Sequence, residues 1–148
     1  MDRMEIHELS KKNLGHLVPM VMKLFPESVY EKELEHYKRI MDSESEKCYI
    51  SKMESRFTGF IHLKLRNDYV EGSHSSPVGY VEAVYVEPDF RETGIGKKLV
   101  ETGEVWAREK GCTEYASDTD INNTHSINFH RNIGFREAGV NVCFIKDL

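Results

Sequence analysis

The sequence predicts an α/β domain in which helices flank a mixed β-sheet. Two adjacent β-rich segments lie in the middle of the chain, and strands then alternate with helices toward the C-terminus. No internal repeat divides the sequence. Because 148 residues suffice for one hydrophobic core, residues 1–148 are predicted to form a single domain.

The N-terminal third of the chain predicts one strand and two helices. Residues 3–9, RMEIHEL, alternate as a strand does, and residues 10–25 carry apolar side chains at helical spacing behind Ser10 as N-cap. Pro19 interrupts that spacing, so either a kink or a shifted helix start is expected. Residues 28–43 form the second helix. Its apolar stripe consists of Tyr30, Leu34, Tyr37 and Met41.

The middle of the chain predicts strands. Residues 47–53 and 56–70 are rich in β-branched and aromatic side chains, and the polar stretch between them indicates a hairpin. Residues 71–77, EGSHSSP, have the composition of a loop. Residues 79–88, GYVEAVYVEP, form a third β segment that Pro88 ends.

The C-terminal third predicts two more helices and further strands. Apolar residues return at helical spacing from Gly94 until KGC at residues 110–112, and residues 113–118, TEYASD, form a short strand. A short helix then ends at Gly134. Its capping residues are Asn122, Asn123 and Thr124. Residues 135–147, FREAGVNVCFIKD, are predicted to close the chain as one or two strands.

The charge balance points away from nucleic acid. The chain has 25 acidic and 20 basic residues, a net charge of −5, so neutralisation of phosphates is not expected to drive binding. A cationic small molecule fits this field. The alternative is that the negative charge only keeps the protein in solution.

The cysteines and the apolar runs predict a cytoplasmic protein without metal. Cys48, Cys112 and Cys143 are odd in number and far apart, which predicts neither a disulfide framework nor a zinc site. The seven histidines also lack ligand spacing. No signal peptide or membrane-spanning stretch is recognisable in the sequence, so no membrane partner is expected.

The stretch EPDFRETGIGKKL, residues 87–99, crosses from a strand to a helix and predicts a phosphate site. The amides at a helix start attract anions. Gly96 and Lys97 lack the Ser or Thr that a P-loop places after the lysine, and Leu99 stands where a dinucleotide fingerprint has its third glycine. What remains is Arg91-x-x-Gly94-x-Gly96, whose glycines let amides converge on a pyrophosphate. The alternative is a tight turn without a ligand.

This turn resembles the Arg/Gln-x-x-Gly-x-Gly/Ala motif of the GCN5-related N-acetyltransferases (GNAT). Residues 122–135, NNTHSINFHRNIGF, resemble the second motif of the same family, Asn…Phe-Tyr-x-x-x-Gly-Phe. The resemblance implies the GNAT fold, with a mixed, mostly antiparallel sheet splayed where acetyl-CoA binds as co-substrate. The implied cofactor contacts are Val84, Tyr85, Val86, Arg91, Glu92, Thr93, Gly94, Ile95, Gly96, Lys97 and Asn123, for the last of which N-capping is a competing role.

A narrower resemblance concerns the acceptor. Residues 66–91, RNDYVEGSHSSPVGYVEAVYVEPDFR, and residues 115–124, YASDTDINNT, are similar to the aminoglycoside 6′-N-acetyltransferases of type 1. The resemblance implies acetylation of the 6′-amino group of aminoglycosides, with antibiotic resistance as the result. It also implies a homodimer, joined through the C-terminal strands at residues 140–147.

Acetylation of a polycationic acceptor needs carboxylates that attract it and take up a proton. Glu82 interrupts an apolar strand and is the first candidate, unless alternation turns it to solvent. Asp118 would lie near Glu82 if their strands are neighbours, although a turn or cap role is the alternative. The resemblance assigns substrate contacts to Tyr69, Glu82 and Asp118. We expect Glu82 or Asp118 to accept the proton through a water molecule.

Three positions depart from the family. His130 stands where the superfamily has a tyrosine acid, so it is either the leaving-group acid or a helix-surface histidine. Phe25 replaces a tryptophan in the relatives' Leu-Trp-Pro turn, and Phe25 and Ser28 are the expected substrate contacts there. Gly139 replaces a late acidic residue.

Two other hypotheses also fit the sequence. One is an acetyltransferase for another cationic amine or for a protein N-terminus. The other is a non-catalytic acetyl-CoA-binding module, against which the two carboxylates argue.

Overall fold

The computed structural model describes residues 3–148, which fold around one open sheet. The sheet has five strands in the order β1-β2-β3-β4-β5. They are β1 Met4–Glu8, β2 Glu46–Met53, β3 Arg56–Arg66, β4 Val78–Val86 and β5 Tyr115–Ser117. The first three pairings are antiparallel and the pairing of β4 with β5 is parallel, which confirms the mixed, mostly antiparallel sheet.

Four α-helices pack on this sheet. They are α1 Leu14–Leu24, α2 Tyr30–Met41, α3 Ile95–Glu109 and α4 Thr124–Asn132, with a short 3₁₀ helix at Pro88–Phe90. Each helix expected from the sequence is present. None of the helices within residues 3–148 is both long and apolar enough to cross a membrane.

The start of α1 differs from the expectation. The helix begins at Leu14, four residues after Ser10, and continues through Pro19. Asn13 stands before it, and its side chain accepts the Ser10 N–H at 2.8 Å and donates to the Glu8 carbonyl at 3.0 Å. Ser10 is therefore not the N-cap. A buried asparagine that binds the preceding turn from both sides defines the entry into the helix.

The core lies on both faces of the sheet because successive strand residues point to opposite sides. On one face α1 and α2 pack against side chains such as Ile50, Phe60 and Tyr85. On the other face α3 packs against Ile61 and Leu63. Tyr37 and Ile40 are the buried residues of α2, whereas Tyr30 is 41% exposed and does not extend the predicted stripe into the core.

The alternation of β4 shifts at Glu82. Leu63 of β3 pairs with Val81 and His62 pairs with Ala83, so Glu82 is an extra residue without a partner on β3. Such a β-bulge turns a side chain out of the regular alternation. The bulge also coincides with the point where the sheet opens, since β5 pairs only with Gly79–Val81.

The C-terminal segment is not the strand that its alternation predicts. Residues 135–148, all within the described range, contain no strand. Several apolar side chains there are largely exposed: Val142, Phe144, Ile145 and Leu148. A strand needs a neighbour for its backbone hydrogen bonds, and the single chain offers this segment none. The prediction of one or two closing strands is therefore wrong for the isolated chain.

Candidate active site

The turn between β4 and α3 presents backbone amides at a helix start. Gly94 precedes α3 with a φ of 89°, in the left-handed region, and Glu92 also lies there with a φ of 63°. The first hydrogen bond of α3 runs from the Lys98 N–H to the Gly94 carbonyl, so the amides just before Lys98 have no acceptor inside the helix. Amides arranged in this way, with the helix dipole behind them, favour an anion such as a pyrophosphate.

Two contacts fix the turn in place. The Arg91 guanidinium donates from Nε to the Val86 carbonyl at 2.8 Å and so ties the turn to the end of β4. At Gly96, an added Cβ would lie 3.1 Å from the Phe129 ring of α4. Because Gly96 lacks a side chain, α4 can approach the first turn of α3 closely.

The edge of β4 next to this turn is open. Glu87 donates its N–H to the Thr58 carbonyl of the β3 side at 2.8 Å. Since amides alternate in direction along a strand, Tyr85 also faces β3 whereas the backbone groups of Val84 and Val86 face the side where β5 has ended. The backbone groups of Val84 and the N–H of Val86 can therefore pair with an extended ligand, whereas the Val86 carbonyl is bonded to Arg91. The Tyr85 side chain lies in the core on the α1 face.

Glu82 leaves the bulge to form an ion pair. Both of its carboxylate oxygens accept hydrogen bonds from Arg66, at 2.8 Å from Nε and 2.9 Å from Nη2. The guanidinium carbon of Arg66 lies 3.4 Å from the centre of the Tyr80 ring. These hydrogen bonds raise the pKa of Arg66 above its ordinary value.

Asp118 is linked to Glu82 without contacting it. The Tyr80 hydroxyl donates a short hydrogen bond to Asp118, which follows directly after β5. Burial and, after it, this hydrogen bond raise the pKa of Tyr80 well above its ordinary value, so the hydroxyl keeps its proton. The condition set by the sequence is met, because β4 and β5 are neighbours through Tyr80 and Ala116. Tyr80 and Arg66 thus connect the two predicted carboxylates.

A pocket of about 410 Å³ opens beside the bulge on the face covered by α1 and α2. It brings the predicted substrate residues Phe25 and Ser28, which follow α1, together with the predicted substrate residue Glu82 of β4. Its remaining lining residues are Glu33, His36, Tyr37, His62 and Ala83. The Ser28 hydroxyl donates to Glu33 at 2.7 Å. The pocket therefore carries carboxylates suited to a cationic ligand.

Tyr69 and Asp118 lie outside the lining of this pocket. Tyr69 is 75% exposed in the loop after β3, where its hydroxyl accepts the Gly72 N–H at 3.4 Å. Asp118 is linked to the pocket residue Glu82 through its hydrogen bond to Tyr80 and the stacking of Arg66 on the Tyr80 ring.

His130 connects α4 to β5. Its Nδ1 lies 2.7 Å from the Ser126 carbonyl, which can only accept, so Nδ1 carries a hydrogen; Nε2 lies 2.8 Å from the Ser117 hydroxyl. His130 is therefore not a free helix-surface histidine. The neighbouring Asn123 accepts the Ser126 N–H at 3.1 Å, which confirms its N-cap role, while its contact with a cofactor stays a prediction.

Sequence reasoning missed Arg66 and the histidines of the pocket. Arg66 ends β3, sixteen positions from its partner Glu82, and no local motif marks this pair. His62 is buried, with 5% of its surface exposed. Burial lowers its pKa, and the hydrogen bond to Glu46 offsets part of this decrease. The sequence shows His62 as a single histidine among apolar strand residues, and this pattern does not indicate which side chain it contacts.

Comparison with known proteins points to one family. The model of the Acetyltransferase (GNAT) family matches residues 15–135. The aminoglycoside N(6′)-acetyltransferase type 1 of Salmonella enteritidis is 34% identical over 135 residues, which cover 91% of this chain and 93% of that protein. The same enzyme of Serratia marcescens is 32% identical, with 92% and 94% covered.

Solved structures agree with the sequence matches. AAC(6′)-Iy in complex with the bisubstrate analog CoA-S-monomethyl-acetylneamine has a TM-score of 0.95 and 32% identity, and the alignment covers 99% of each chain. AAC(6′)-Iy in complex with CoA has a TM-score of 0.96 and 31% identity, with 100% of this chain and 97% of that chain covered. The fold expected from the sequence is confirmed.

Proposed function

Because the chain belongs to the GNAT family of acetyltransferases, we propose that it transfers the acetyl group of acetyl-CoA to the 6′-amino group of aminoglycosides and so confers resistance to them. One observation carries the proposal. The bulge residue Glu82 stands where the sheet opens, between the free edge of β4 and the acidic pocket. A carboxylate at this position lies close both to an amine bound in the pocket and to a thioester bound along the edge of β4.

The co-substrate is acetyl-CoA, and this chain offers it two sets of backbone groups. The amides from Glu92 to Lys97 receive the pyrophosphate at the start of α3. The backbone groups of Val84 and the N–H of Val86 pair with the pantetheine arm, and an amide at this edge polarises the thioester carbonyl. Arg91 stabilises the turn through the Val86 carbonyl rather than through the ligand.

Glu82 and Asp118 serve the acceptor. Glu33 and Glu82 attract the cationic aminoglycoside to the pocket, and Phe25 covers part of its sugar surface. We assign the uptake of the amine proton, through a water molecule, to Glu82, because Glu82 lines the pocket whereas Asp118 lies outside it. Such a base contributes roughly 10²–10⁴-fold to the rate. Asp118 and Tyr69 then contact outer parts of the acceptor.

The departing thiolate of coenzyme A needs little acid assistance, since a thiol pKa of about 8.5 makes it a fair leaving group. His130 is the proposed proton source on α4. To act in this way, Nε2 has to carry a proton in addition to the one on Nδ1, and it has to exchange the Ser117 hydroxyl for the sulfur.

We further propose that the protein is a cytoplasmic homodimer. The exposed apolar segment at residues 140–148 lacks a neighbour in its own chain, and β5 is an edge strand of the sheet. Pairing of the segment with β5 of a second copy buries these side chains and closes that edge. The three free cysteines suit a reducing compartment.

The decisive experiment compares two aminoglycosides that differ in one group. Release of the coenzyme A thiol is measured with an acceptor that bears a 6′-amine and with its 6′-hydroxyl counterpart. We expect saturable turnover with the amine and little with the hydroxyl. If acetyl-CoA binds while neither compound reacts, the aminoglycoside assignment fails, and other cationic amines become the candidates.

A further inference from the structure

Three side chains that can bind a metal ion lie close together, and two of them, His36 and His62, line the same pocket as Glu82. They are His36 of α2, Glu46 at the start of β2 and His62 of β3, and one ligand atom from each lies within 4.8 Å of the others. We propose that this His36–Glu46–His62 cluster binds a divalent transition-metal ion of the zinc type. The proposal does not depend on the acetyl transfer.

The fold brings the cluster together from three separate elements. His62 pairs with Cys48 across β2 and β3, which places Glu46, two residues before Cys48, diagonally opposite His62 on the same face. Glu46 Oε1 lies 2.9 Å from His62 Nε2. The buried Tyr37 packs α2 against this face. The rings of His36 and His62 contact edge to face, with their centres 5.5 Å apart.

The donor set matches a zinc site with an open position. Two imidazoles and one carboxylate are a known ligand set of zinc, which leaves the fourth place to water or another ligand. Zinc binds nitrogen and oxygen at about 2.0–2.2 Å, so the three ligands must close by roughly an ångström. His36 can do this, because its side chain is 40% exposed on the helix surface.

A second carboxylate lies beside the histidine on the helix. Glu33 Oε2 lies 3.8 Å from His36 Nδ1, one helical turn away. This distance is too long for a hydrogen bond, so Glu33 would have to approach further to orient the ring as carboxylates do around metal-bound histidines. His36, His62 and Glu33 all line the pocket, so an ion held by the two histidines would lie beside the space that Glu82 also lines.

The test measures zinc binding by calorimetry on the full chain, with the exposed Cys143 replaced by serine in every protein to remove a competing thiol. We expect one zinc ion per chain. His36→Ala, on the helix surface, is expected to weaken binding by at least tenfold, and Glu46→Gln to do likewise. His125→Ala, an exposed histidine of α4, is the matched control and is expected to bind as the parent does.

Cobalt(II) provides an independent readout. The parent and His125→Ala are expected to give the visible absorption of a tetrahedral cobalt site, and His36→Ala is expected to lose it. Absence of stoichiometric binding, or equal affinity and spectra in His36→Ala and the parent, would overturn the proposal. Neither acetyl-CoA nor an acceptor is present, so failure of the proposed acetyl transfer leaves this result unaffected.

Discussion

Arg66 and Glu82 form a two-point ion pair across β3 and β4, with distances of 2.8 and 2.9 Å. Both oxygens of the carboxylate that we assign to proton uptake are therefore occupied before an acceptor binds. A cationic amine that enters the pocket has to compete with the guanidinium or share the carboxylate with it. A change in the strength of this ion pair is therefore expected to affect both the affinity for the acceptor and the ability of Glu82 to take up a proton.

Replacement of Glu82 by glutamine tests its role as base. We expect Glu82→Gln to lower kcat by about 10²–10⁴-fold, because the amide cannot take up the amine proton. The measurement is kcat and KM across pH, with Glu101→Gln, an exposed carboxylate of α3, as control. A change in KM alone, with kcat intact at every pH, would show that Glu82 only binds the acceptor.

Replacement of Arg66 by lysine tests the competition. Lysine keeps the charge but not the planar fork, so the hold on Glu82 weakens. Since partly exposed ion pairs are worth about 0.2–1 kcal/mol, we expect KM for the acceptor to fall by roughly threefold. Acetyl-CoA affinity is expected to stay constant, and Arg39→Lys on α2 is the control. An increase in KM would mean that Arg66 orients Glu82 for binding rather than competing with the acceptor.

Gly94 and Gly111 provide a matched pair for the cofactor turn. Their φ angles are 89° and 87°, and an added Cβ meets nothing within 4 Å at either position. Replacement of either glycine by alanine is therefore expected to lower the free energy of unfolding by about 1–2 kcal/mol through backbone strain alone. Only Gly94→Ala is expected to weaken acetyl-CoA binding in calorimetry. Equal affinities in the two variants would place the pyrophosphate elsewhere.

Glu114 provides a prediction about acid stability. Its carboxylate accepts hydrogen bonds from the Ser75 hydroxyl and the His74 N–H, which lower its pKa below 4.5. A lowered pKa in the folded state means that the stabilisation is present above pH 4.5 and is lost as the pH falls through the folded-state value.

The test for Glu114 compares melting temperatures of the parent and Glu114→Gln. The parent is expected to melt higher at neutral pH, and the difference is expected to shrink below pH 4.5. Glu101→Gln is expected to show no such pH-dependent difference. A gap that stays constant into acid would mean that the hydrogen bonds do not depend on the charge of Glu114.

The proposed dimer depends on the exposed C-terminal segment. Phe144 and Ile145 are 92% and 98% exposed in the single chain. Because charge is costly in a buried interface, we expect Phe144→Asp with Ile145→Asp to convert a dimer into monomers in sedimentation experiments. Val105→Asp, at a 52% exposed position of α3, is the control. A monomeric parent, or a double variant that stays dimeric, would contradict the proposal.

Local sequence was sufficient for the elements and the cofactor turn. The spacing of apolar residues predicted the strands and helices, and the glycines at positions 94 and 96 predicted the turn before α3. Asn123 was predicted as a cap, and it caps α4. These features depend on interactions between residues a few positions apart, which is why the sequence by itself determined them. Ser10 failed as a cap because Asn13 binds the same turn more completely.

The tertiary structure decided where the side chains of the site point. Glu82 faces the pocket because β3 and β4 pair with a bulge, and its partner Arg66 lies sixteen positions away. The His36–Glu46–His62 cluster likewise depends on tertiary structure, since α2, β2 and β3 each supply one of its residues. Strand register and helix packing arise from burial summed over the whole core, so no short pattern encodes them. The C-terminal segment shows the same limit, since its alternation predicted a strand and the single chain gives it no neighbouring strand to pair with.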